Sequence, residues 1–279
     1  MIQQIKNVTP YAGFIRGFYS DRRFFAQPKT EKEVLEKLQK QSADPDNIAF
    51  AAFCGEKITG LFVFLYLKEE KYMEMLTGIS VDPDAYDMML SYFCDKFPEH
   101  EIYFVFNPEN ELLKSRLQYR GAEFTAEQMK MAHSGAIPPC DTDCVKPLTS
   151  EYYDQYIEMH NKDVYWTGDK VIKAKEKFKT FIVNDGSALA GYIDITYGRA
   201  ENGIFDLLVK PEYRRKGCGR KLLIKALRIN EPNGMRLEVD IDNIPAINLY
   251  YSADFHKIEH QNVLTVLLKT YKKKKSEKF

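Results

Sequence analysis

The chain has 279 residues, enough for one large domain or two ordinary ones. Hydrophobic residues make up 44% and charged residues 29%, values of an ordinary folded chain, and 40 basic residues balance 40 acidic ones, so overall charge supplies no drive toward nucleic acid or an anionic membrane. The longest apolar run, "ITGLFVFLYL" at 58–67, is too short to span a bilayer, and neither the start "MIQQIKNVTP" nor the five scattered cysteines suggests export, so a cytoplasmic setting is expected.

Taken in chain order, "TEKEVLEKLQKQ" (30–41) has helical spacing, and "IAFAAFCGEKITGLFVFLYL" (48–67) reads as two strands turning at Gly55. A strand at 73–81, a helix at 83–97, a strand at 101–106 and a helix at 109–119 follow. The stretch 134–148, with "SGAIPPC", has the composition of a linker, and "CDTDC" within it lacks the further ligands that a metal site needs. Helices are then expected at 150–162 and 168–178, two strands around the Asn-Asp-Gly turn in 180–198, and a strand at 203–209. The remainder reads as a helix at 218–230, a strand at 235–240, a short helix at 244–253 capped by Asp242 or Asn243, and two final strands in 255–269. The terminal "KKKKSEK" reads as a solvated tail.

The two halves run in the same order. "GEKITG" (55–60) matches "GSALAG" (186–191), and "QYRGAEF" (118–124) matches "LYYSADF" (249–255), both at an offset of 131. "VDPD" (81–84) matches "VKPE" (209–212) at 128, so the second half carries about three extra residues just after this element. The expected division is 1–136 and 137–279.

Those extra residues fall in "VKPEYRRKGCGRKLLIKAL" (209–227), where a strand gives way to a glycine turn and a helix. The first amides of a helix have no internal partner and the helix dipole makes that end positive, so a strand, glycine turn and helix make an anion cradle. Gly217 and Gly219 let a ligand approach the backbone, and Arg214, Arg215, Lys216, Arg220 and Lys221 add positive charge. The nucleoside-triphosphate pattern Gly-x4-Gly-Lys-Ser/Thr is absent, and Leu222 stands at the third glycine of the dinucleotide pattern. A nucleic-acid contact through "YRRKGCGRK" has no support from the neutral overall charge.

Arg214, Gly217 and Gly219, preceded by Val209, Pro211 and Glu212, resemble the acyl-CoA signature of the GNAT (Gcn5-related N-acetyltransferase) superfamily, Arg/Gln-x-x-Gly-x-Gly/Ala. Asn243, Ala246, Leu249 and Tyr250 resemble its later Asn-x-x-Ala-x-x-Leu-Tyr element, with Asp254-Phe255 in place of Gly-Phe. The resemblance implies an α/β fold of two mixed-sheet units with helices on both faces, strands four and five splayed in the C-terminal unit. It implies that acetyl-CoA is a co-substrate, that no metal is required, and that the acceptor is the amine of a small molecule or peptide, without nucleic acid, a membrane or a known oligomer as partner. Pantetheine would pair with the strand around Asp206, Leu207, Leu208 and Val209, and the pyrophosphate would sit on Arg215, Lys216, Gly217, Cys218, Gly219 and Arg220, with Asn243 nearby. Tyr250 matches a tyrosine that faces the CoA sulfur and serves as general acid, or else packs against CoA. Glu238 and Asp206 are alternatives for the general base, and Tyr165 and Trp166 fall in a stretch that lines acceptor sites. The first half has "DPD" where the phosphates would sit, and like charge there disfavours CoA, so that copy is expected to be degenerate. A CoA-binding module without catalysis is the alternative reading.

Overall fold

The computed structural model describes residues 1–25, 30–162, 164, 166–198 and 202–271; Tyr165 and the lysine-rich terminal stretch lie outside them. Apolar residues repeating at period two build two seven-stranded sheets, and helices with one apolar stripe cover both faces of each. The first sheet draws on β1 (Ile2–Ile5), β2 (Asn47–Cys54), β3 (Lys57–Leu67), β4 (Tyr72–Ser80), β5 (Glu101–Phe106) and β6 (Glu123–Phe124). Its helices are α1 (Ala12–Arg16), α2 (Glu31–Ala43), α3 (Pro83–Lys96) and α4 (Glu111–Tyr119). Helix α2 begins where Thr30 and Glu33 cap each other's amides, a device that fixes the start of a helix without any tertiary contact. Ile15, Val34 and Leu38 pack on one face of this sheet, and Tyr86, Phe93 and Leu113 on the other. Each such side chain stabilises the unit by roughly 1.5–3 kcal/mol through burial.

The second sheet is formed by β7 (Gln128–His133), β8 (Lys146–Pro147), β9 (Phe178–Asp185), β10 (Ala188–Thr196), β11 (Asn202–Val209), β12 (Met235–Asp240) and β13 (His256–Lys257). Helices α5 (Tyr153–Met159) and α6 (Gly168–Lys173) cover one face, and α7 (Cys218–Asn230) and α8 (Ile244–Ser252) the other. The last strand, β14 (Leu264–Lys269), returns to the first sheet between β5 and β6, pairing antiparallel with both.

The compact units are therefore 1–128 with 259–279, and 129–258. These bounds differ from the expected division, because the strand after "GAEF" joins the second sheet and the two strands expected in 255–269 are shared between sheets. The helix expected over 168–178 ends at Lys173, and Phe178 already opens β9.

In each unit a parallel strand pair separates. β4 and β5 pair from Tyr72 opposite Glu101 to Met75 opposite Phe104, and β4 then runs on alone along that edge. β11 and β12 pair only at Asn202 with Met235 and Gly203 with Arg236. From Ile204 to Val209 the β12-facing edge of β11 is open, which is the splay expected in the C-terminal unit.

Candidate active site

The open edge of β11 leads into the mouth of α7. After Val209 a short 3-10 turn, Pro211–Tyr213, reverses the chain, and Gly217 takes the N-cap position with φ 82°, a left-handed conformation that a side chain disfavours. No side chain caps α7. The first helical bond is donated by Lys221 to the Gly217 carbonyl at 3.0 Å. Among the described residues, the amides of Arg215, Lys216, Gly217, Cys218, Gly219 and Arg220 have no protein acceptor. A Cβ on Gly219 would lie 3.1 Å from Leu249 Cδ2, so this glycine lets α7 approach α8.

All of the residues from Arg215 to Arg220 except Lys216 line a cleft of about 670 Å³. Leu207, Leu208, Val209, Arg214, Arg215, Gly217, Cys218, Gly219 and Arg220 form one side, and Asn243, Leu249 and Tyr250 of the α8 region the other. Two of the cations are already engaged. Arg214 Nε donates to the Val209 carbonyl at 2.9 Å, and Arg220 donates to the carbonyl and hydroxyl oxygens of Ser252. Lys216 lies over the Tyr213 ring at 5.3 Å instead of in the cleft lining. The amides, more than the cations, are thus what the mouth presents to an anion. Asn243 caps α8 by accepting from the Ala246 amide at 3.3 Å, and this fixes the helix that carries Tyr250.

Tyr250 is 7% exposed, packs against Phe255 at 5.9 Å, and its hydroxyl has no hydrogen-bond partner among the described residues. Burial, reinforced by the nearby Asp206 carboxylate, pushes its pKa up to about 12. The phenol stays protonated and has a proton to give. Glu238 lies on the face of β12 opposite Leu237 and Val239, its side chain 45% exposed and paired with Lys130 at 3.0 Å, and it is not part of the cleft lining.

Asp206 belongs to a buried cluster. Asp194 and Asp206 are direct partners across β10 and β11, and the register slips at the next pair, where Ile195 faces Ile204. The extra residue, Phe205, makes a bulge, and both Phe205 and Asp206 turn toward α5. Asp206 Oδ2 accepts from the Tyr192 hydroxyl at 2.6 Å and lies 3.8 Å from His160 Nε2. Its Oδ1 accepts from the Leu207 amide at 2.8 Å. Asp194 accepts from the Tyr156 hydroxyl at 2.8 Å and the Thr180 hydroxyl at 2.5 Å, and sits 3.1 Å from His160 Nε2. Burial pulls the His160 pKa down, but the bond to Asp194, the bond to the Asn161 carbonyl and the charges of Asp194 and Asp206 outweigh it and leave it raised. Burial raises Asp194 as well, against its three hydrogen bonds.

His160 ends a predicted helix, where a surface position is expected, yet the structure buries it. Two signals foreshadow this: Tyr156 and His160 lie four apart on one helical face, and Asp194 interrupts an apolar strand, where a buried charge needs partners. The ligand atoms of His160, Asp194 and Asp206 lie within 4.8 Å of one another, a spacing a cation can bridge. Here hydroxyl donors from Tyr156, Thr180 and Tyr192 occupy the carboxylates instead. Trp166 packs edge-on to Phe178 at 5.2 Å, and Phe178 in turn to Phe205 at 5.3 Å, an aromatic row beside this cluster.

Residues 145–255 match the family model described as the acetyltransferase (GNAT) family. A GCN5-related N-acetyltransferase from Sphaerobacter thermophilus superposes with TM-score 0.64 at 11% identity, covering 96% of this chain and 95% of that one. A tandem GNAT protein from the clavulanic acid biosynthesis pathway gives 0.54 at 11%, covering 98% and 99%. An acetyltransferase structure from Pyrococcus horikoshii, described as such without established activity, gives 0.53 at 11%, covering 97% and 89%. At these identities the likeness is one of fold. No curated protein matches the chain significantly. Among the described residues, no helix is long and apolar enough to cross a membrane.

Proposed function

We infer, from a C-terminal unit whose residues 145–255 match the acetyltransferase (GNAT) family model, that this chain moves an acetyl group from acetyl-CoA directly to the primary amine of a small molecule or peptide. The observation that carries this reading is the set of unpartnered amides at Arg215 and from Gly217 to Arg220, residues that line the same cleft as the free edge of β11. Those amides would hold the pyrophosphate, and the backbone of Leu207, Leu208 and Val209 would pair with the pantetheine arm. Tyr250, protonated and unpartnered at the cleft wall, would give its proton to the departing thiolate. Neither candidate base is part of the cleft lining; Asp206 is the preferred one because it adjoins Leu207 of that lining and its charge acts on Tyr250, whereas Glu238 is committed to Lys130. The N-terminal unit would not hold acetyl-CoA, and the free cysteines suit a reducing, cytoplasmic setting.

The test is calorimetric titration of the full chain with acetyl-CoA, followed by an amine panel read by thiol release. One acetyl-CoA per chain and amine-dependent release are expected. Binding without release across the panel would favour a CoA-binding module, and no binding would end the proposal.

A further inference from the structure

The cluster at the end of α5 and on β10 and β11 has more acceptors than donors, and this fixes its charge. His160 Nδ1 faces the Asn161 carbonyl at 3.0 Å, an oxygen that only accepts, so Nδ1 carries a hydrogen. Nε2 then points at two carboxylate oxygens, at 3.1 and 3.8 Å. A bare nitrogen lone pair there would be repelled, so one proton sits between His160 and the carboxylates. The tyrosine hydroxyls cannot cancel the remaining charge, since burial and the adjacent carboxylates hold both Tyr156 and Tyr192 in the protonated, neutral form. Two carboxylates, one imidazole and one shared proton leave a net charge of about −1 in a buried site, which is costly without a counter-cation. Asp206 is the cluster's outlet, with its side chain 26% exposed while those of His160 and Asp194 are sealed.

We propose that His160 and Asp194 are a positioning pair that shares one proton behind Asp206, and that the cluster's residual negative charge selects a cationic primary amine, whose ammonium docks on Asp206 and passes it a proton. The proposal rests on the acetyltransferase reading for its reaction, and on the geometry of the cluster alone for its charge. In the transfer, the amine nitrogen loses two protons as its bond to the acetyl carbon forms and the carbon–sulfur bond breaks. One proton leaves through Asp206 to solvent, and the other reaches the thiolate by way of Tyr250. The groups facing His160 are Tyr156 from α5, Tyr192 and Asp194 from β10, and Phe205 and Asp206 from β11; α6 approaches through Gly168, which brings no charge.

The first test needs no substrate. Nitrogen-15 NMR of the imidazole in the intact chain should show His160 titrating above the ordinary value of about 6.5, and moving down in Asp194→Asn. A His160 that titrates at or below the ordinary value in the unaltered protein overturns the proposal, as does stoichiometric Zn²⁺ or Mn²⁺ binding that abolishes the titration. The second test is kinetic. In His160→Gln, acetyl-CoA affinity should hold, kcat/KM for a cationic amine should fall roughly 10²-fold, and the acidic limb of its pH profile should move up by about one unit or more as the carboxylates lose their cation. An equal loss at every pH, with the limb unmoved, would mean a packing role only and also overturns it. If the unaltered protein binds no acetyl-CoA, the acetyltransferase reading fails while the NMR result still judges the proton.

Discussion

The two units solve one local problem, the start of a helix after a splayed strand, in opposite ways. In the N-terminal unit the helix α3 follows β4 almost at once, and Asp82 caps it by accepting from the Asp84 amide at 3.0 Å. Asp82, Asp84, Asp87 and Asp95 then line an open cleft of about 920 Å³, a surface that repels phosphate. In the C-terminal unit the matching Pro211 begins a 3-10 turn, and α7 waits until Cys218, behind a left-handed glycine with no capping side chain. An insertion of about three residues thus replaces a carboxylate that satisfies its own helix by amides that have no protein acceptor among the described residues. The same contrast recurs at the matched tyrosines: Tyr119 is 83% exposed at the end of α4, whereas Tyr250 is buried in the cleft wall.

The contrast breaks most visibly at the tyrosines. Tyr250→Phe should cut kcat by about 10²–10⁴-fold with acetyl-CoA affinity unchanged, and Tyr119→Phe should change neither; equal losses in steady-state assays would erase the asymmetry. Grafting the N-terminal solution onto the C-terminal one is the next largest effect. Gly217→Asp should weaken acetyl-CoA about 100-fold, or about 2.7 kcal/mol, with a strain cost of about 1 kcal/mol for an aspartate at positive φ; calorimetry that finds affinity retained would remove the amide cradle. Tyr156→Phe leaves the buried Asp194 one donor short and should cost about 1–3 kcal/mol in urea unfolding, without altering acetyl-CoA affinity. Asp82→Ala should cost about 1 kcal/mol and create no acetyl-CoA site, since three aspartates remain in that cleft. The smallest effect is one of pH. His160 is raised in the folded state, so the stability it adds relative to His160→Gln should be complete below about pH 6.5 and be lost as pH climbs through its folded value. A difference between the two proteins that is flat with pH, followed by chemical denaturation, would mean no such proton.

Much of the fold was legible because its signals are short in range. The Gly55 and Gly186 turns, the Asn243 cap and the apolar stripe of α7 are each decided within a few residues. The cleft lining was legible for the same reason, since Leu207 to Arg220 is one continuous stretch and α8 announces itself by its cap. Glu238 was harder, because strand alternation gives two faces without saying which one meets the cleft.

The sequence by itself determined the duplicated order of elements, the residues at the mouth of α7 and the loss of that mouth from the first copy, since each depends on backbone preferences and charges a few positions apart. Only the tertiary structure decided that β7 and β14 join sheets other than those their place in the chain suggests, and that His160 lies buried between Asp194 and Asp206. Side-chain periodicity fixes which face of a strand is apolar but not which partner it pairs with. A buried proton depends on groups that only the packing of α5, β10 and β11 brings within hydrogen-bonding reach.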